Sequence, residues 1–294
     1  MRQNWRLRAR RWATVIQRRL QSFFALVATV LWALILPATA VAQQRVDLEL
    51  VLAVDISLSM DLDELRVQRD GYVAALRDPD LQALMFSGRH RRIALTYFEW
   101  AGRSVQKDIL DWMLIDSPAA ANVAASVLEK APISRERMTS ISGALDHAGQ
   151  LLETGPYKGD RRVIDVSGDG PNNNGRMVTL ARDELVAKGV VINGLPIMMK
   201  RGSTVFDIST LDIYYEDCVI GGPESFSINI RSLEEMQPAI RRKLAMEVAG
   251  LMPTPPRLMR TQFTPPAQDK AAPRIDCTIG EQLWRRYMDG RWQN

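Results

Sequence analysis

Apolar runs alternate with amphipathic stretches along residues 46–250, and this alternation predicts the class of fold. Short apolar runs are typical of buried strands, and apolar residues at every third or fourth position are typical of helices. The predicted strands are Leu48–Val54, Arg92–Trp100, Arg162–Ser167, Val190–Pro196 and Ser225–Ile230. The predicted helices are Asp63–Leu76, Ala119–Leu128, Ser140–Leu152, Met177–Lys188 and Leu233–Val248. This order predicts an α/β fold, with a Rossmann-like, mostly parallel central sheet and helices on both faces.

Two segments do not follow the simple alternation. Trp100 and Trp112 bracket an amphipathic stretch that predicts a hairpin, or a strand followed by a turn, with the tryptophans packed in a core. Tyr214 and Tyr215 precede two acidic residues, a pattern that favours the end of a surface helix, although these residues could also flank a site. About 205 residues are enough for one domain with a substantial core.

Residues 1–42 predict an export signal rather than part of the fold. Seven arginines and no acidic residue precede the apolar run Phe23–Leu36, and the small residues that follow have the spacing that a signal peptidase accepts. The apolar run is shorter than the ~20 residues of a membrane-spanning helix. We therefore expect cleavage after Ala40 or Ala42, a periplasmic or secreted protein, and no stable membrane insertion after cleavage.

The export signal also accounts for the positive charge of the chain. The whole sequence has 38 Lys and Arg residues against 34 Asp and Glu residues, a net charge of +4. Without residues 1–42, 31 basic residues remain against 34 acidic ones. The exported part is then slightly acidic, and its charge gives no reason to expect a nucleic-acid partner.

The composition changes near Met252. Six prolines between positions 253 and 273 break regular structure, so residues 251–294 are predicted to form a Pro-rich linker and a C-terminal tail. The aromatic, amphipathic segment Ile279–Trp292 fits either a small docking helix or a disordered tail. Cys218 and Cys277 could form a disulfide in an oxidising compartment or remain free thiols, and we favour the disulfide.

Candidate chemistry begins where the first predicted strand ends. Residues 51–60 read VLAVDISLSM, so an apolar strand leads into Asp55, Ser57 and Ser59. Alternate residues of an extended chain point to the same side, so these side chains would share one face. Their oxygens suit a hard cation such as Mg²⁺. In a second interpretation, Ser57 and Ser59 cap the helix that starts near Asp61.

Two downstream segments favour the cation site. Thr139 opens a helical pattern, and the strand Arg162–Ser167 leads into Asp169 and a run of turn residues. Ligands of open α/β folds bind outside the carboxyl ends of the strands, where these segments are expected to meet. The predicted metal site therefore comprises Asp55, Ser57, Ser59, Thr139 and Asp169.

This ordered set of three loops resembles the von Willebrand factor A domain, over roughly residues 46–250. The resemblance implies a metal-ion-dependent adhesion site in which Ser57 and Ser59 bind the metal directly and Thr139 is the ligand of the second loop. By the same resemblance, Asp55 and Asp169 act directly or through water. The chain is also similar to an exported bacterial branch of these proteins whose role is unassigned, through residues 213–226 (IYYEDCVIGGPESF).

The sequence departs from the family pattern at two loop positions. Leu58 separates the two serines where many relatives have Gly, and no Gly precedes Thr139, but no expected ligand is missing. The resemblance implies a divalent cation, most simply Mg²⁺, with Mn²⁺ or Ca²⁺ as alternatives. It also implies a protein partner that offers a carboxylate, and no enzymatic activity.

An enzyme interpretation rests on a second, partial resemblance. Asp55 and the run 168–173 (GDGPNN) look like the motifs of haloacid dehalogenase-type phosphatases. In that family an acid two positions after the nucleophile protonates the leaving group, but here that residue is Ser57, and the last acid of the later motif is replaced by Asn173. The two histidines are expected on a loop and a helix face. We therefore expect a binding protein, with a phosphatase and a metal-free scaffold as alternatives.

Overall fold

Five strands form the central sheet of the computed structural model, which describes residues 43–199, 206–250 and 274–290. The strands are β1 (Gln44–Asp55), β2 (Ile93–Trp100), β3 (Gln106–Ile115), β4 (Tyr157–Gly168) and β5 (Val191–Pro196). Their order is β3-β2-β1-β4-β5, and β3 alone runs antiparallel to its neighbour. The predicted export signal (1–42) and most of the predicted Pro-rich linker (251–273) lie outside the described residues.

Helices connect the strands and cover the sheet. They are α1 (Leu62–Arg77), α2 (Pro79–Met85), α3 (Pro118–Lys130), α4 (Ile141–Thr154), α5 (Val178–Ala187), α6 (Leu211–Tyr214), α7 (Leu233–Ala249) and α8 (Ile279–Gly290). A turn of π-helix, Tyr215–Val219, follows α6 directly. No helix in the described part of the chain is both long and apolar enough to cross a membrane.

The sheet separates two hydrophobic cores, and its central strand β1 contributes side chains to both. Its side chains alternate between the faces of the sheet, so Leu50 and Leu52 pack on one side with α1, α3 and α7, whereas Val51 and Ala53 pack on the other with α4 and α5. Both faces are covered, as expected for a mostly parallel sheet. The predicted α/β architecture is confirmed.

The predictions for the two edges of the sheet, the hairpin near Trp112 and the strand Ser225–Ile230, had different outcomes. The hairpin near Trp112 is confirmed, since β2 and β3 pair in antiparallel orientation. The predicted strand Ser225–Ile230 is wrong as a continuous strand, because this segment makes only two isolated bridges, one to Gly194 of β5 and one to Ile197 just after it. Ile230 N donates to Pro196 O at 3.0 Å, but Pro196 has no N–H to donate in return, so the ladder is interrupted there.

A buried charge cluster fastens α7 to the sheet. Lys243 Nζ lies 2.6 Å from Asp165 Oδ1 of β4 and 2.5 Å from Glu247 Oε1 of its own helix. Asn193 of β5 donates to Glu247 Oε1 at 3.0 Å. One ammonium therefore faces two buried carboxylates. Burial, and next the charge of Asp165, raise the pKa of Glu247 to about 7.

This cluster makes stability depend on pH with a defined sign. A carboxyl group whose pKa is raised in the folded state binds its proton more tightly there, so its contribution is complete below the unfolded pKa and is lost as pH rises through about 7. Between pH 5 and pH 8, we expect the unfolding free energy of the wild type to fall by about 2–3 kcal/mol relative to Glu247→Gln. Urea denaturation at both pH values measures this difference, and identical pH dependences would contradict the expectation.

Candidate metal centre

A chain of hydrogen bonds connects the end of β1 to the end of β4. Asp55 is completely buried, and its Oδ1 accepts a hydrogen bond from Ser57 N at 2.6 Å. Ser57 Oγ and Ser59 Oγ lie 2.8 Å apart, and Ser59 Oγ donates to Asp169 Oδ1 at 2.5 Å. Successive hydrogen bonds thus connect four of the five predicted site residues.

The helix that follows has its own cap. Asp61 Oδ1 accepts from the backbone N–H groups of Asp63 and Glu64 at 2.9 and 2.8 Å, and Glu64 Oε2 accepts from Asp61 N at 2.6 Å. The interpretation in which Ser57 and Ser59 cap this helix is therefore wrong, because Asp61 already satisfies the N–H groups in question. The two serine hydroxyls remain directed toward the site.

The second loop places Thr139 by a reciprocal pair of hydrogen bonds. Thr139 N donates to Asn173 Oδ1 at 2.9 Å, and Asn173 N donates to Thr139 O at 2.8 Å. Ser140, rather than Thr139, caps α4 by accepting from Gly143 N at 3.1 Å. Met138, which precedes Thr139, has φ +71°. This left-handed conformation usually favours glycine, so Met138 adopts it although the sequence has no glycine before Thr139.

All five predicted residues meet at the carboxyl end of the parallel strands. Ser57, Ser59, Thr139 and Asp169 line one cleft of about 540 Å³, and Asp55 lies buried beside it. This edge of the sheet is the usual ligand position in open α/β folds.

The donor set fits a divalent cation. Asp55 Oδ2 is buried and has no hydrogen-bond partner among the described residues. Burial, and next the charge of Asp169, raise the pKa of Asp55 well above its ordinary value. Carboxylate and hydroxyl oxygens are ligands for hard cations, and a dication would relieve both the desolvation and the repulsion of the two carboxylates.

Tyr215 also shapes this centre, as in the sequence interpretation that was not favoured, in which Tyr214 and Tyr215 flank a site. Tyr214 and Tyr215 are completely buried, so the interpretation as a surface helix end is wrong. A Cβ atom on Gly168 would lie 2.8 Å from Asp55 Oδ2 and 2.9 Å from Tyr215 Oη, which shows that both oxygens crowd the same point. Burial, and next the charge of Asp55, raise the pKa of Tyr215. The sequence does not indicate this burial, because the acidic residues Glu216 and Asp217 that follow are typical of an exposed segment.

A second group of metal-type side chains lies at the opposite end of the sheet. Ligand atoms of Asp47, His90 and Asp160 all lie within 4.8 Å of one another, so these residues could hold a metal. However, Asp47 already accepts from His90 N at 2.7 Å and Arg92 N at 3.2 Å, and Arg45 lies 3.5 Å from Asp160. These donors already compensate the carboxylates, so the case for a cation is weaker here than at Asp55.

The C-terminal segment contributes to the cleft. Cys218 and Cys277 form a disulfide, which confirms the favoured alternative. Helix α8 follows Cys277, so the docking helix, rather than a disordered tail, is the observed form of residues 279–290. Trp284 and Tyr287 of this helix line the cleft together with Phe206.

Comparison with known families identifies the domain. Residues 45–252 match a family described as "Protein of unknown function (DUF1194)". The chain belongs to the DUF1194 family. No curated protein matches it.

Solved structures show that this DUF1194 protein has a von Willebrand factor A-like fold. Proximal thread matrix protein 1 from the mussel byssus, with a zinc-occupied MIDAS motif, has 15% identity and a TM-score of 0.50 over 69% of this chain and 46% of its own. The pilus adhesin SpaC from Lactobacillus rhamnosus GG has 9% identity and a TM-score of 0.55 over 71% and 31%. A von Willebrand factor type A protein from Catenulispora acidiphila has 13% identity and a TM-score of 0.47 over 69% and 43%. The DUF1194 chain spans less than half the length of each protein.

The crowding at Gly168 gives a test of the site's packing. In Gly168→Ala the new methyl group must displace Asp55 or Tyr215, so we expect a loss of about 1–3 kcal/mol in unfolding free energy, measured by urea denaturation. Gly170→Ala is the matched control, because a Cβ there would meet only Thr139 Oγ1 at 4.0 Å. Equal stabilities of the two variants would contradict the packing described here.

Proposed function

We propose that this protein is exported, holds a divalent cation at Asp55, Ser57, Ser59, Thr139 and Asp169, and binds an acidic group of a protein partner there. The observation that carries the proposal is the buried, unpartnered Oδ2 of Asp55 beside a second carboxylate. Mg²⁺ is the cation that suits these oxygen ligands best, with Mn²⁺ or Ca²⁺ as alternatives.

The charge of the site supports recognition of an acid. Three of the five donors are neutral hydroxyls, so this donor set contributes two carboxylates. When bound, the cation supplies positive charge and a coordination position that an incoming carboxylate can occupy. Arg137 and Asp207 also line this cleft with opposite formal charges, so the bound cation is the group that attracts an acid. The zinc-occupied MIDAS motif of the mussel protein is consistent with this use of the fold.

Export is supported by two independent features. The arginine-rich, apolar segment before residue 43 has the pattern of a signal peptide. The disulfide between Cys218 and Cys277 is typical of proteins in an oxidising compartment.

The geometry favours binding over phosphoryl transfer. A phosphatase would need Asp55 as a nucleophile, but this residue is completely buried, and its unpartnered oxygen faces Gly168 and Tyr215. Asn173 replaces the final acid of the phosphatase motif, and its side chain holds the backbone of Thr139. No acid stands at Ser57 to protonate a leaving group. These features support a protein without catalytic turnover.

Thr139→Val tests the proposal because it removes one hydroxyl at nearly constant volume. We expect Mg²⁺ affinity, measured by calorimetry, to fall by at least about 10-fold, or ~1.4 kcal/mol. We also expect capture of partners from envelope extract in Mg²⁺ to be lost both in this variant and in EDTA. Thr154→Val, at the exposed far end of α4, is the matched control and should behave as the wild type.

Two outcomes would overturn the proposal. A set of captured partners unchanged by EDTA and by Thr139→Val would show that recognition does not pass through the cation. Metal-dependent hydrolysis of p-nitrophenyl phosphate that is abolished by Asp55→Asn would instead support the phosphatase.

A further inference from the structure

Three aromatic rings form one wall of the cleft beside the candidate metal centre. Trp284 and Tyr287 lie three residues apart on α8, and therefore on one face of that helix. Their ring centroids are 5.8 Å apart, and both rings pack against Phe206, at 5.6 and 5.4 Å. We name these three residues the aromatic wall. All three line the same cleft as Thr139 and Asp169.

The aromatic wall is fastened to the loop that carries Asp169. The disulfide at Cys277 anchors the chain immediately before α8. Asn172 Nδ2 donates to Glu281 Oε1 at 2.7 Å, and Gly280 lies so close to the backbone of Asn172 that no side chain would fit there. Asn172 Oδ1 in turn accepts from Ser142 N at 2.9 Å, at the start of α4. The wall and the metal loops therefore share one framework.

Apolar side chains of the first two loops also line the cleft. Leu58 projects from the first loop with 47% of its surface exposed, and Met138 projects from the second. Both flank positions that are expected to bind metal. The cleft thus combines charged groups with apolar and aromatic surface, and its volume of about 540 Å³ exceeds what one carboxylate needs.

We infer that the partner presents an acidic residue next to an aromatic residue, with the carboxylate at the metal and the neighbouring ring against the aromatic wall. The inference rests on the proposed function and specifies its ligand. Complementarity favours this occupant, because the cation attracts the acid while Trp284 and Tyr287 offer rings for edge-to-face or offset packing. Tyr287 is 38% exposed, so part of this aromatic surface is accessible.

Panning a random peptide library tests the inference. Peptides are selected on the exported chain in Mg²⁺ and eluted with EDTA. We expect enrichment of Asp or Glu adjacent to Phe, Tyr or Trp. On Trp284→Ala we expect the acid to remain enriched and the aromatic neighbour to lose its enrichment. A synthetic copy of the enriched peptide should bind this variant about 10-fold more weakly than the wild type.

Controls separate this inference from the proposed function. Arg286→Ala, on the exposed part of the same helix, should select the same peptides as the wild type. Calorimetry should show that Trp284→Ala keeps its Mg²⁺ affinity and that Thr139→Val does not. If Mg²⁺ binds but EDTA elutes acidic peptides without an aromatic neighbour, or elutes none, the inference is overturned and the metal site stands.

Two other outcomes have distinct meanings. Tighter peptide binding by Trp284→Ala would show that the aromatic wall covers the site instead of contacting the partner, which also overturns the inference. Absence of Mg²⁺ binding in the wild type would overturn the proposed function itself.

Discussion

Two carboxylates converge at the carboxyl edge of neighbouring parallel strands, and much of the surrounding structure constrains them. Asp55 ends β1 and Asp169 follows β4, whose register places Val54 beside Ser167. Burial denies Asp55 the water that would stabilise its charge, and the neighbouring charge of Asp169 adds repulsion. This arrangement is costly without a compensating cation, since a buried charge requires a partner.

The framework that holds the carboxylates in place extends in three directions. Gly168 has no side chain, and its place is taken by Asp55 Oδ2 and Tyr215 Oη, which both lie close to it. Asn173 holds the backbone of Thr139, and Asn172 connects the start of α4 to α8. Consecutive residues of one loop therefore join the metal centre, the second loop and the C-terminal helix, which explains why the aromatic wall lies beside the candidate cation site.

The sequence predicted that these five residues converge because the relevant signals are local. Each of the three segments shows its oxygen-bearing residues at the end of a strand or the start of a helix, and parallel strands bring such ends together. The five-residue set could thus be assembled from Asp55, Thr139 and their neighbours without knowledge of tertiary contacts. The cap of α1 was open to two interpretations, because Ser57, Ser59 and Asp61 all have side chains suited to capping.

Features that depend on tertiary packing could not be predicted in this way. The burial of Tyr215 results from packing against β5 and beside Gly168, whereas the two residues that follow it in the sequence are acidic. The position of α8 depends on a disulfide between residues 59 positions apart, which the sequence permits but does not require. The effect of Pro196 on strand pairing could not be predicted without knowing which segment lies beside it. A proline interrupts a ladder only where its missing N–H would have donated a hydrogen bond.

The most direct test of the central claim is the unfolding free energy of the wild type and of Asp55→Asn, each measured in EDTA and in Mg²⁺. The amide keeps the shape of the side chain but removes its charge. In EDTA we expect the variant to be at least as stable as the wild type. Mg²⁺ at 100 times its dissociation constant should stabilise the wild type by about 2.7 kcal/mol and the variant far less, which reverses the order. Equal stabilisation of both proteins by Mg²⁺, or a variant much less stable than the wild type in EDTA, would contradict the account.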